Sequence, residues 1–301
     1  MPLFLEILTT ITGPIVVLIG LGWLAGHRLK LDVGGLNRLL LYVIIPAFLA
    51  HYLATSSVPI GAAWDTAWFT AVQFLVLAAV GWAIARACGL RDGMPAVIGL
   101  AMALSNSGNF GLPLAELAFG SDMVLHQAVI VSTQSIFVFT LGFVMILGAA
   151  GWRQGLRGLI NPIFPAVIIG LTLNAFEVEL PTLVGLPLEM LGRLYTPLAL
   201  FTLGAQLTTI RTEGLGRPLA LTAGLKLLLA PLLTWLALLP LAIERDIADL
   251  LTVTASAPVG VTLAILAAQA GRATGLSAAA VFVTTVISPL SVSLWLLFLR
   301  A

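Results

Sequence analysis

From Met94 to Phe119 the chain is apolar apart from Glu116 and one long interruption, Ser105-Asn106-Ser107-Gly108-Asn109-Phe110-Gly111-Leu112-Pro113. Two serines, two asparagines, two glycines and a proline are poor material for a helix. In hydrocarbon every backbone N–H and C=O needs a partner, so a non-helical stretch survives only where protein or a watery cavity encloses it. That constraint applies if the run crosses a membrane, and composition indicates that it does. The chain has 301 residues, 60% hydrophobic and 9% charged, against roughly 25% charged in soluble domains. The stretch is then either a kinked helix packed by small residues or the wall of a site.

A membrane-crossing helix needs about 20 apolar residues. Ten runs meet or nearly meet this, near 3–26, 34–54, 66–88, 94–119, 124–149, 162–177, 186–209, 218–242, 248–270 and 276–299. The sixth is short, which implies tilt or a buried position. Positive residues favour the cytoplasm. The loops after spans one, three, five, seven and nine, with their edges, hold Arg28, Lys30, Arg38, Arg86, Arg91, Arg153, Arg157, Arg211, Arg217 and Arg272, ten of the fourteen lysines and arginines. The other side holds Arg193, Arg245 and Arg300, and Lys226 lies within a span. The expectation is an all-α polytopic protein of the inner (cytoplasmic) membrane, with ten spans and both termini outside the cytoplasm. No Lys or Arg precedes the first span, and His27-Arg28-Leu29-Lys30 follow it. It reads as a retained span rather than a secretory signal.

The net charge of +1 gives no case for nucleic-acid binding. A single cysteine, Cys88, excludes a disulfide within the chain and a cysteine metal cluster. His27, His51 and His126 fall near span ends without metal-ligand spacing and read as interfacial, so neither a metal nor a cofactor is expected. Tyr42, Tyr195, Trp64, Trp68 and Trp152 read as interfacial anchors or core.

The two halves of the chain resemble each other. Ala128-Val129-Ile130-Val131-Ser132-Thr133 matches Ala280-Val281-Phe282-Val283-Thr284-Thr285 at an offset of 152 residues. Leu36-Asn37-Arg38-Leu39 likewise resembles Leu191-Gly192-Arg193-Leu194. Five spans per half is an odd number, so the halves would enter the membrane in opposite directions, as in many secondary transporters. The offset places Asn106 on Pro258 and Gly108 on Gly260, inside a second break, Thr254-Ala255-Ser256-Ala257-Pro258-Val259-Gly260-Val261-Thr262. Broken helices at corresponding positions point to a midplane binding site. Their crossing would bring together two helix N-termini, each with about half a positive charge, which suits an anion.

The candidate substrate-binding residues are Asn106, Ser107, Gly108, Asn109, Ser256, Pro258, Gly260, Lys226 and Gln134. Asn106 and Asn109 supply amide donors, and Ser105, Ser107 and Ser256 supply hydroxyls. Gly108, Gly111 and Gly260 admit close backbone approach, and Pro113 with Pro258 discourages an unbroken helix. Lys226 is nine residues past Arg217, roughly 13 Å at 1.5 Å per residue, which is near the centre of the bilayer. It is a counter-charge for a substrate carboxylate, a proton acceptor, or a structural charge. Its counterpart in the first half is near Gln73. Glu116 and Thr133 are the candidates for coupling to H+ or Na+, with Glu116 alternatively facing the outer water. No catalytic residues are expected: the aspartates cluster at span ends and no histidine sits mid-span, which argues against an intramembrane enzyme.

Ser105 to Leu114 with Phe119-Gly120 resembles the fourth-span motif of the auxin efflux carrier family. Ala255 to Val261 followed by Leu266-Ala267 resembles its ninth-span motif, and the likeness extends over the whole chain. The family holds plant auxin exporters and bacterial carriers of malonate, malate and related carboxylates. The resemblance implies a fold shared with bile acid/sodium symporters, with scaffold helices in 1–55 and 151–210 and a mobile transport domain in 56–150 and 211–301. It also implies elevator-type alternating access, a homodimer through the scaffold, and a crossover built on Asn106, Pro113 and Pro258. Unlike plant members, this chain has only a short loop near 150–161 and no asparagine in the second motif. The expected function is secondary transport of a small mono- or dicarboxylate, in the direction of export. An anion channel and a ligand-sensing membrane protein are the alternatives.

Overall fold

A computed structural model describes residues 3–56, 61, 63–148, 151, 162–178, 180–210 and 216–300. Within them the chain is all-helical: α1 (Leu3–Leu29), α2 (Val33–Ala54), α3 (Ala63–Ala87), α4 (Met94–Ala103), α5 (Leu112–Phe119), α6 (Met123–Leu147), α7 (Ile163–Ala175), α8 (Thr182–Leu207), α9 (Gly216–Leu238), α10 (Arg245–Ala255), α11 (Val261–Ala270) and α12 (Thr274–Arg300). Six of these, α1, α2, α3, α6, α9 and α12, are long and apolar enough to cross a membrane. The protein is therefore a multi-pass membrane protein. Trp152, Arg153, Arg157 and Arg211 lie outside the described residues.

The outward surfaces of the helices are apolar, with Val17, Ile168, Leu228 and Leu290 all exposed, as lipid contact requires. Inside, helices meet through small residues. α1 lies against α8 so closely that a Cβ on Gly22 would fall 1.8 Å from the carbonyl oxygen of Phe201, and one on Gly204 would fall 1.9 Å from that of Ile19. Without a hydrophobic drive between helices in lipid, such backbone contact is a main source of association. α2 packs against α7 and α8 around Phe48, Leu49, Leu53 and Tyr195, and α3 packs along α4.

Several helices carry a widened π turn: Leu8–Thr12 in α1, Leu40–Ile44 in α2, Ser107–Gly111 leading into α5, Val138–Gly142 in α6 and Leu225–Leu229 in α9. Four of them are followed two residues later by a proline: Pro14, Pro46, Pro113 and Pro231. A proline ring collides with the carbonyl four residues back and offers it no N–H. Widening the preceding turn moves that carbonyl aside. The response is not obligatory, since Pro187, Pro197 and Pro289 lie within regular helix.

The aromatic and histidine expectations divide. Trp64 and Tyr42 are exposed, while Tyr195 is fully buried against Phe48. His126 is not interfacial as its position near a span end suggested. It is 1% exposed, with Nδ1 2.7 Å from the Thr66 hydroxyl, because it lies on the inward face of the first turn of α6.

Gly204→Val is expected to destabilise the protein by about 3 kcal/mol or more, because the new side chain meets backbone rather than a movable side chain. Gly20→Ala, where a Cβ meets nothing within 4 Å, is the matched control. Thermal melting of both purified variants, followed by size-exclusion chromatography, checks the contrast.

Candidate functional site

α4 stops at Ala103. Leu104 is extended (φ −93°, ψ 110°), and Asn106 (φ −73°, ψ 61°) turns the chain into the π turn Ser107–Gly111. α10 stops at Ala255, and Gly260 (φ −64°, ψ 132°) starts α11. The two unwound segments meet antiparallel, with Ser105 opposite Val259. The Asn106 N–H donates to the Pro258 carbonyl at 2.7 Å, and the Gly260 N–H donates to the Leu104 carbonyl at 3.2 Å. The Val259 N–H, which this pairing does not use, donates to the Thr284 hydroxyl at 3.0 Å. A Cβ on Gly260 would lie 3.0 Å from Leu104 Cγ and 3.1 Å from the Ser105 carbonyl oxygen, so glycine there permits the approach.

Side chains from two further helices, α6 and α9, brace this junction. Gln127 of α6, fully buried, donates to the Ser107 carbonyl at 2.9 Å and accepts from the Thr254 hydroxyl at 2.8 Å, tying one break to the other. It reaches Ser107 only because residue 111 is glycine; a Cβ there would lie 2.4 Å from Gln127 Nε2. Lys226 of α9, also fully buried, donates from Nζ to Ser105 Oγ at 2.7 Å, and Ser105 Oγ donates to the Thr254 carbonyl at 2.7 Å. Gln73 of α3 donates to Thr234 of α9 at 2.7 Å. A crevice beside the junction is lined by Gln73, Ser105, Gln134 and Thr254 and is too narrow for a water-sized sphere.

Some of the polar groups here have no protein partner. Asn106 Nδ2, Gln134 Oε1 and Ser132 Oγ are buried and unpaired. An unpaired buried polar group costs about 1–3 kcal/mol. Asn106 belongs to the junction itself and Gln134 lines the crevice beside it.

The sequence candidates separate on this geometry. Asn106, Ser107, Pro258 and Gly260 form the junction, with Lys226 bonded to it through Ser105. Gln134 lines the crevice. The Ser256 hydroxyl donates back to the Val253 carbonyl at 2.7 Å and so caps α10. Asn109 and Thr133 are half-buried. Gly108 does not serve close approach as expected, because a Cβ there would meet nothing within 4 Å. Pro113 lies in the first turn of α5, where its missing N–H is tolerated, and acts by widening the turn before it. Glu116 belongs to a separate cluster: its two carboxylate oxygens accept from Tyr52 Oη of α2 and Thr196 Oγ1 of α8, each at 2.5 Å.

Gln127, Thr284 and the bracing role of Thr254 were missed. The signal for Gln127 was present: it precedes Gln134 by seven residues, which puts both on one helix face. Thr284 reads like any helix threonine until the partner of Val259 is known.

Gly260→Val is expected to cost about 1–3 kcal/mol by forcing the paired segments apart, whereas Gly108→Ala should leave the melting temperature unchanged. Parallel thermal melts of the two variants decide it.

Comparison with known proteins gives a consistent result. The family described as membrane transport protein matches residues 8–156 and 151–296. A protein of Methanothermobacter thermautotrophicus named an uncharacterized transporter is 27% identical over 277 residues, covering 88% of each chain. A protein of Rhizobium meliloti (strain 1021) that carries the provisional name of malonate transporter is 24% identical over 311 residues, covering 98% of this chain and 96% of the relative. The matched segments span both breaks and nearly all the helices that position them, and the chain belongs to the membrane transport protein family.

Proposed function

We propose that this protein is a secondary carrier of a small organic anion, a mono- or dicarboxylate, bound where the two unwound segments cross. The observation that carries the reading is the unpaired Asn106 Nδ2 beside the start of the π turn. The first N–H groups of a helix lack partners, and two such ends, at Ser107 and Val261, start from the paired segments. A carboxylate oxygen is an acceptor with the charge these donors favour. The similarity to a relative with the provisional name of malonate transporter supports the same substrate class.

The offset of 152 residues sharpens the site. It pairs Ser132 with Thr284 and Ser107 with Val259. Thr284 serves the Val259 N–H, whereas Ser132 Oγ is unpaired. If the halves are inverted repeats, their symmetry is broken on the side of Asn106, Ser132 and Gln134, and that is where the anion sits.

In this reading there are ten spans with both termini outside the cytoplasm of an inner membrane, α4–α5 and α10–α11 being one broken span each. The scaffold is 1–55 and 151–210, which also forms a homodimer. The moving block is 56–150 and 211–301, in an elevator-type cycle like that of the bile acid/sodium symporters. Glu116 is on the moving block and its partners Tyr52 and Thr196 are on the scaffold, so movement opens those two bonds. Export of an anion from an inside-negative cell gains about 2.3 kcal/mol per unit charge per 100 mV.

Purified protein in liposomes is expected to move labelled malonate or a related carboxylate, with H+, Na+ and voltage gradients imposed separately to identify the drive. Asn106→Ala should weaken the apparent affinity about 10- to 100-fold, the loss of one hydrogen bond to a charged group. Folded protein that moves no carboxylate from a broad panel, or an Asn106→Ala variant with unaltered transport, would refute the reading.

A further inference from the structure

Lys226 is the least expected charge in the molecule. It is fully buried, and its position follows from Pro231, which widens the turn Leu225–Leu229 that carries it. The ion pairs among the described residues are Arg193 with Glu189 and Arg245 with Asp249, both at helix surfaces, and neither involves Lys226. A buried ammonium without an opposing charge is costly, so dipoles must hold it. The hydrogen bonds show which dipoles these are. Ser105 Oγ gives its proton to the Thr254 carbonyl, so toward Lys226 it can only accept. Thr254 is in the last turn of α10, and Ser105 lies two residues past the end of α4. The last carbonyls of a helix are partnerless and carry about half a negative charge. The bonds tie the ammonium to the end of α10 through Ser105, and the end of α4 lies two residues before Ser105 in the chain.

We propose that Lys226 is a positioning residue rather than a substrate ligand: acting through Ser105, it is the resident counter-charge of the C-terminal ends of α4 and α10, and it leaves the N-terminal ends beyond the breaks to the anion. Nζ has two N–H groups beyond the one given to Ser105 Oγ, but Lys226 is fully buried, so a carboxylate would reach them only by displacing the side chains packed around it. The anion therefore meets a site whose C-terminal ends are already balanced, and its own charge answers only to the helix N-termini and Asn106. This part of the inference rests on the carboxylate reading above; the counter-charge itself does not.

The test uses the full-length purified chain. Lys226→Met keeps the volume and removes the charge. It is expected to lower the melting temperature and to reduce Vmax for labelled malonate about tenfold or more, with KM within about twofold of wild type. n-Propylammonium, which replaces the atoms deleted in Lys226→Ala, should raise the melting temperature of that variant and leave Lys226→Met and wild type unmoved. Tetramethylammonium should rescue none of them. Ser105→Ala should reproduce the Vmax loss, and combining it with Lys226→Met should cost little more than either alone, since both break one chain. The proposal is overturned if Lys226→Met melts at or above the wild-type temperature and raises KM, the pattern of a direct ligand. If the lysine variants do not fold, Ser105→Ala with wild-type Vmax overturns it. If wild type moves no carboxylate, the carrier reading fails alone, and propylammonium rescue still decides the counter-charge.

Discussion

The structure depends on backbone groups that have nowhere else to go. In hydrocarbon an amide without a partner costs several kcal/mol, so a helix broken mid-membrane is untenable alone. Here the two breaks satisfy each other. Asn106 N–H finds the Pro258 carbonyl, and Gly260 N–H finds that of Leu104. Gln127 and Thr284 then take the neighbouring groups that the short bridge cannot reach. Neither break is explicable without the other, although 149 residues separate Ser105 from Thr254, its own partner across the junction. The close contacts elsewhere, such as Gly22 and Gly204 between α1 and α8, hold the helices that enclose this pair and keep lipid away from it.

Proline has two roles in this arrangement. Pro258 lies within an unwound segment and supplies its carbonyl to the pairing. Pro113 and Pro231 instead sit just past π turns and shape them. The first of those turns carries Ser107 and Gly111, where Gln127 docks. The second carries Lys226, whose Nζ reaches Ser105. A substitution pattern that looks like scattered helix breakers thus places two of the junction's braces. α6 has a widened turn at Val138–Gly142 without such a proline, so proline is one cause of these turns and not the sole one.

Much of this was legible in the sequence because lipid makes the rules strict. Apolar runs separated by charged loops located the helices to within a few residues. The polar interruption at 105–113 and its echo at 254–262 marked both breaks, and the antiparallel pairing between them is present. What could not be read were properties of side-chain direction. His126 turned inward to Thr66, Gly108 faced open space where close approach was expected, and Ser256 spent its proton on its own helix. Each depends on rotation about a helix axis, which a run of apolar residues does not encode. Gln127 was half-legible, since its spacing from Gln134 fixed a shared face but not what that face meets.

The bonds at the junction divide into those that are complete and those that are not, and the division has a mechanical sense. The backbone pairing, the Gln127 bridge and the chain from Lys226 through Ser105 to Thr254 are all closed within the protein. They hold the geometry whether or not a ligand is present. Asn106 Nδ2, Ser132 Oγ and Gln134 Oε1 are left open, and they include a donor and an acceptor oxygen of side-chain amides. In the proposed carrier the crevice beside the junction, too narrow for a water-sized sphere, must widen to admit the anion, and that cost is drawn from its binding energy. The anion is then held weakly, and weak binding is what lets a carrier release its cargo on the far side. The internal counter-charge serves the same end. Were the ammonium free, it would grip an anion in a low-dielectric interior far more tightly than transport tolerates. Committed to two helix ends, it holds the junction together and leaves the anion to the gentler field of the helix N-termini.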